Sequence, residues 1–133
     1  MSNRERKLAF VLRALGFLDL LAIFAVVIPS AWLSVAHAWA GLGPFPAEPI
    51  AEYLARSTSA LYALHGAMVV FISFDVGRYE RLIRFMALAA LVHGAVILGI
   101  DVALQMPALW RYSEGPTFAA TGVIVLWMQG RSR

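Results

Sequence analysis

Four stretches dominated by apolar residues, about 8–33, 55–74, 83–104 and 112–130, are separated by short segments rich in glycine, proline and charge. A helix of roughly 20 apolar residues crosses a hydrocarbon core of about 30 Å. The first three stretches meet that length outright. The fourth is strongly apolar only over 116–128 and must recruit residues 112–115 and 129–130 to span. The pattern predicts a single all-α transmembrane domain over residues 1–133, four helices joined by short connections and packed as an up-down antiparallel bundle.

Composition agrees with that pattern. The chain is 61% hydrophobic and 14% charged, whereas a soluble domain carries about a quarter charged residues. A net charge of +3 does not point to nucleic acid, because the basic residues cluster at the ends of apolar stretches instead of along one polar face. There is no cysteine, which excludes disulfides, thiolate metal sites and cysteine nucleophiles. No GxGxxG, P-loop, HExxH or GxSxG motif occurs.

Basic residues also set the expected orientation. Arg4, Arg6, Lys7, Arg13, Arg78, Arg81, Arg84, Arg131 and Arg133 fall on one side and only Arg56 and Arg111 on the other, which places both termini in the cytoplasm. Trp32, Trp39, Trp110, Tyr53 and Tyr112 then lie at the outer interface, and Tyr79 and Trp127 at the inner one. The first stretch has small residues at Ala36 and Ala38 in the manner of a signal-peptide cleavage site. It is nevertheless longer than a signal core and contains Arg13 and Asp19, so it reads as a retained span.

The connections carry local signals. Pro49 suits the first position of a helix, with Glu48 and Glu52 at its positive end. Gly77 is the expected reversal in the second connection, where Asp75 and Glu80 are available to neighbouring arginines. In the third connection Pro107 is expected to end one helix, Gly115-Pro116 to open the next and Ser113 to cap it. Arg13 is expected to snorkel toward headgroups, and the interfacial His37 is assigned no chemistry.

Three ionisable side chains remain inside the apolar stretches. Asp19 lies eleven residues after Leu8, His65 ten after Ala55, and His93 ten after Ile83. At 1.5 Å per residue all three fall within about one turn of the bilayer midplane, level with Thr121. Such groups are costly in lipid and mark functional sites by default. Tyr62 and Thr58 share a helical stripe with His65, and both histidines are followed by Gly-Ala.

This cluster supports three readings. Asp19, His65 and His93, with Tyr62 and Thr121, form interhelical hydrogen bonds and nothing more. Alternatively they bind a ligand: His65 and His93 as axial ligands of haem b, or with Asp19 as a three-ligand set for a first-row metal, or around a lipophilic molecule. In the third reading they conduct protons or a small molecule. Enzymatic activity is not legible.

The segment LRALGFLDLLAI at residues 12–23, with an arginine followed by a glycine early in the first span, resembles the DoxX-like small four-helix bacterial membrane proteins. The resemblance implies four spans with cytoplasmic termini and a setting of redox or quinone-related membrane processes, and transfers no functional residue. The whole reading is a bacterial inner-membrane protein whose partners are the lipid bilayer and, further out, copies of itself or a larger membrane complex.

Overall fold

The computed structural model describes residues 2–130, and among them the chain is all-α, with no strand. Its helices are α1 (Asn3–Leu20), α2 (Ile23–Val27), α3 (Ser30–Trp39), α4 (Pro49–Ile72), α5 (Glu80–Ala103) and α6 (Ala108–Gly130), with a 3-10 turn at Ser73–Asp75. Among the described residues three helical stretches are long and apolar enough to cross a membrane: Asn3–Val27, Pro49–Asp75 and Glu80–Ala103. Helix α6 is not among them, since its opening turns carry Arg111, Ser113 and Glu114. Large apolar side chains such as Phe10, Phe17, Leu61, Phe71 and Phe85 are more than half exposed, as expected where lipid, not water, is the solvent.

The first apolar stretch is not one helix. Around residues 21–25 hydrogen bonds tighten to i→i−3, from the N–H of Ala22 to Asp19 O at 3.0 Å and of Phe24 to Leu21 O at 3.1 Å. At Ile28 the backbone turns extended, φ −65° and ψ 152°. Pro29 explains this: its ring disfavours helical geometry in the preceding residue, and it has no N–H to continue the ladder. A new helix, α3, starts at Ser30.

Helix α4 begins at Pro49 with Glu48 as an extended N-cap, as the sequence indicates. After it the chain reverses through residues 76–79, where Asp75 Oδ1 accepts the N–H of Arg78 at 3.0 Å. This carboxylate thus organises the turn through backbone, and Gly77 keeps a negative φ.

The third connection corrects three expectations. Helix α5 ends before Pro107, in a Schellman arrangement: the N–H of Met106 bonds Asp101 O at 2.9 Å and that of Gln105 bonds Val102 O at 3.2 Å. Pro107 stands just before α6, its carbonyl oxygen accepting from the N–H of Trp110 at 3.0 Å. Gly115-Pro116 accordingly lies inside α6, and Ser113 does not cap it. The serine hydroxyl instead donates to Leu109 O one turn back, the usual pattern for serine in a helix interior.

Gln105 holds the left-handed C′ position at φ 53°, where glycine carries no Cβ penalty. Gln105→Gly is expected to stabilise the protein by about 0.5–1 kcal/mol. A raised thermal midpoint in detergent checks this.

The described residues fall into two compact units, residues 9–74 and residues 2–8 with 75–130. In the first, α1 and α2 run antiparallel to α4 and the turn that follows it: contacts pass from Arg13 with Ser73 to Asp19 with His65 to Val26 with Arg56. In the second, α5 and α6 do the same, from Glu80 with Gln129 to His93 with Phe118.

Candidate functional site

Each unit is organised around one crossing of two glycines. A Cβ on Gly66 would lie 2.5 Å from Gly16 O and 2.7 Å from the nitrogen of Leu20, and one on Gly16 would lie 2.8 Å from Gly66 O and 3.0 Å from the nitrogen of Val70. In the other unit a Cβ on Gly94 would lie 2.5 Å from Gly115 O and 2.8 Å from the nitrogen of Ala119. One on Gly115 would lie 2.6 Å from Gly94 O and 2.9 Å from the nitrogen of Leu98. Only glycine lets the backbones approach this closely.

The register is the same in both pairs. The residue before one crossing glycine is a histidine, His65 or His93. It meets the residue three beyond the opposing glycine, Asp19 or Phe118. In the first unit that meeting is a hydrogen bond between His65 Nδ1 and Asp19 Oδ2 at 2.8 Å. In the second it is an edge-on contact of the His93 ring with Phe118, centroids 4.7 Å apart and planes at 86°. One hairpin therefore carries a polar pair at its crossing and the other an aromatic pair.

Of the residues singled out by sequence, Asp19 and His65 are brought together. The Asp19 side chain is 25% exposed and that of His65 44%. A carboxylate only accepts, so the shared proton belongs to Nδ1, and the second ring nitrogen, Nε2, is directed elsewhere. Tyr62 is half-buried one turn before His65 on α4. His93 is exposed and Thr121 half-buried, both in the second unit. Among the described residues no three His, Cys, Asp or Glu side chains form a group that could hold a metal ion. The chemistry open to the pair is that of one oriented imidazole: donation of a lone pair from Nε2, or exchange of a proton there.

The structure adds a polar knot absent from the sequence reading. Arg56 Nη1 donates to Val26 O at 2.6 Å and Ala25 O at 3.3 Å, and Nη2 donates to Ile28 O at 3.1 Å. These carbonyls lose their helical partners where Pro29 interrupts the chain, so the guanidinium caps the break. Glu52 Oε1 holds the fork from one turn away, with Nη2 at 2.6 Å and Nε at 2.8 Å, and also accepts from Ser30 Oγ at 2.8 Å. The signal was present: a proline inside an apolar stretch orphans carbonyls, and a Glu/Arg pair at i, i+4 enters the next helix at the same level.

Three other side chains behave differently from expectation or were not singled out. Arg13 turns inward as well as along the surface, donating from Nε to Ser73 Oγ at 3.2 Å with its guanidinium 4.9 Å from the Phe74 ring centre. Asp101 is 4% exposed, and its Oδ2 has no hydrogen-bond partner among the described residues. His37 Nδ1 lies 3.0 Å from Gly43 O, closing the turn after α3 and leaving it a local structural role.

Comparison with protein-family models, with curated proteins and with solved structures gave no match to this chain.

Proposed function

We propose that this is a four-span protein of the bacterial inner membrane, both termini cytoplasmic, in which the Asp19–His65 pair binds a lipophilic ligand through His65 Nε2. The membrane setting is supported by three long apolar helices, the exposed apolar faces and the bias of nine basic residues against two. Helix α6 supplies the fourth crossing in this reading, and the architecture is that of the DoxX-like proteins the sequence resembles.

The observation that carries the ligand reading is the 2.8 Å contact from Asp19 to His65 Nδ1. A carboxylate on one imidazole nitrogen fixes the tautomer and the orientation of the ring, which is how ligating histidines are usually held. A bare zinc or iron ion asks for three or more protein ligands. Haem b brings four nitrogens of its own and needs one or two axial residues, and a lipophilic molecule with a polar head needs a single hydrogen bond. One oriented, half-exposed imidazole suits the latter two.

The test is an absorption spectrum of protein purified in mild detergent, with metal analysis and mass spectrometry of an organic extract from the same sample. A Soret band, or a stoichiometric extracted compound, that is lost in His65→Ala supports the proposal. A colourless, metal-free protein with no retained compound overturns it.

A second reading, in which the pair only locks α1 to α4, is favoured by its position on the crossing. Asp19 Cβ lies 2.9 Å from where a Cβ of Gly66 would stand. Interhelical hydrogen bonds in membranes are worth about 0.6–2 kcal/mol. Asp19→Asn and His65→Ala are therefore each expected to lower the unfolding free energy by about 1 kcal/mol. A His65→Ala variant that loses stability and no ligand identifies the packing role alone.

A further inference from the structure

The beginning of α1 and the end of α6 border an open cleft of about 370 Å³ lined by Asn3, Arg4, Lys7, Trp127 and Met128. Arg4 Nη1 and Nη2 are both shielded from solvent, and neither has a hydrogen-bond partner among the described residues. The adjacent acid is already engaged. Glu5 Oε2 accepts the N–H of Ser2 at 2.6 Å while Ser2 Oγ accepts the N–H of Glu5 at 3.2 Å, a reciprocal capping box. The first turn of α1 is thus satisfied internally, and the Arg4 charge is left over. An adjoining cleft that Arg4 also borders contains Glu5 and Glu80, so the side favourable to an anion is the one that carries Lys7.

Location and charge together name the occupant. The stretch Asn3–Val27 is long and apolar enough to cross a membrane, which places its first turns at headgroup depth. Tryptophan is enriched at that level, and basic pockets beside membrane helices take anionic headgroups. We propose that this cleft binds the phosphate of an anionic phospholipid. Arg4 and Lys7 take the phosphate, and Trp127 and Met128 lie along the glycerol and the first methylenes of the acyl chains. The site shares no residue with the Asp19–His65 pair and rests only on α1 entering a bilayer.

Thermal melts and native mass spectrometry of the full chain in a neutral detergent test this, with phosphatidylglycerol, phosphatidylcholine and inorganic phosphate as probes. Phosphatidylglycerol should raise the midpoint and remain bound, and phosphatidylcholine should do neither. Arg4→Gln with Lys7→Gln should weaken phosphatidylglycerol binding by about tenfold or more, since each basic contact contributes about fivefold. Arg6→Gln, an exposed neighbour outside the cleft, should change it less than about twofold. If the double variant does not fold, Lys7→Gln alone is read against Arg6→Gln. Equal losses in the Arg6 and cleft variants, equal binding of the two lipids, or a matching shift with millimolar phosphate overturns the site. None of those results bears on whether the chain spans a membrane.

Discussion

Gly94→Ala is expected to destabilise the protein by about 2 kcal/mol, whereas Gly99→Ala, five residues along the same helix, stabilises it by about 0.5–1 kcal/mol. In an isolated helix both changes help, because alanine is the better helix former. The difference lies in what the new methyl meets. At Gly99 nothing lies within 4 Å, while at Gly94 the methyl would stand 2.5 Å from the backbone oxygen of Gly115. A backbone oxygen cannot rotate away as a side chain can, so the helices must separate along their length. That loses dispersion contacts which, in lipid, are much of what holds two helices together. Gly66→Ala should repeat the loss in the other unit, its methyl 2.5 Å from Gly16 O. Thermal midpoints of the three variants in one detergent decide the matter by sign alone. If Gly94→Ala and Gly99→Ala move the midpoint in the same direction, the close crossing is not what stabilises α5 against α6.

The second large effect belongs to Arg56. Arg56→Met keeps the aliphatic stem but removes every donor to Ala25, Val26 and Ile28, leaving carbonyls beside Pro29 without partners. Hydrogen bonds from a charged donor contribute about 1.5–3 kcal/mol each. Arg56 is 24% exposed, and that partial screening reduces the sum, so a loss of about 3 kcal/mol is expected. Arg56→Lys should recover less than half of it, because an ammonium cannot fork between Glu52 and several carbonyls. Hydrogen exchange locates the effect. Amides of residues 24–33 should exchange faster in Arg56→Met, with those of α5 unchanged. Uniform acceleration along the chain would place the role of Arg56 elsewhere.

Both residues show how far the sequence could be read. Pro49 opening α4 followed from proline chemistry, and Asp19 meeting His65 from depth and helical stripe. Both depend on rules that act within a few residues or along one axis. The glycine crossings leave a periodic trace along the chain. Ala87, Gly94 and Asp101 recur every seven residues, as do Gly115, Gly122 and Gln129, and these are buried positions of α5 and α6. A seven-residue spacing of small residues, Ala87 to Gly94 and Gly115 to Gly122, is a packing seam. His93 itself is exposed at the edge of that seam.

The errors at the third connection have another cause. Proline and glycine there carry the sequence signature of helix ends, but Gly115 is required by packing and Pro116 is accommodated within α6. Gln105, with no turn signature, adopts the left-handed conformation that ends α5. The Arg56 knot was legible only in part, for a different reason. Its partners are backbone carbonyls some thirty residues away, and carbonyls leave no trace in a sequence. Pro29 marked where partners would be needed, and only the fold shows which side chain supplies them.

At the centre stands the claim that Asp19 holds the His65 imidazole by Nδ1 and leaves Nε2 to act. Nitrogen NMR of histidine-labelled protein in detergent micelles, with His37→Gln and His93→Gln used to assign the three histidines, reads this directly. The expected spectrum for His65 is a protonated Nδ1 and an unprotonated Nε2 that shifts when a ligand is present, with the tautomer preference lost in Asp19→Asn. A His65 protonated on Nε2, or one whose spectrum is indifferent to Asp19→Asn, would contradict the claim.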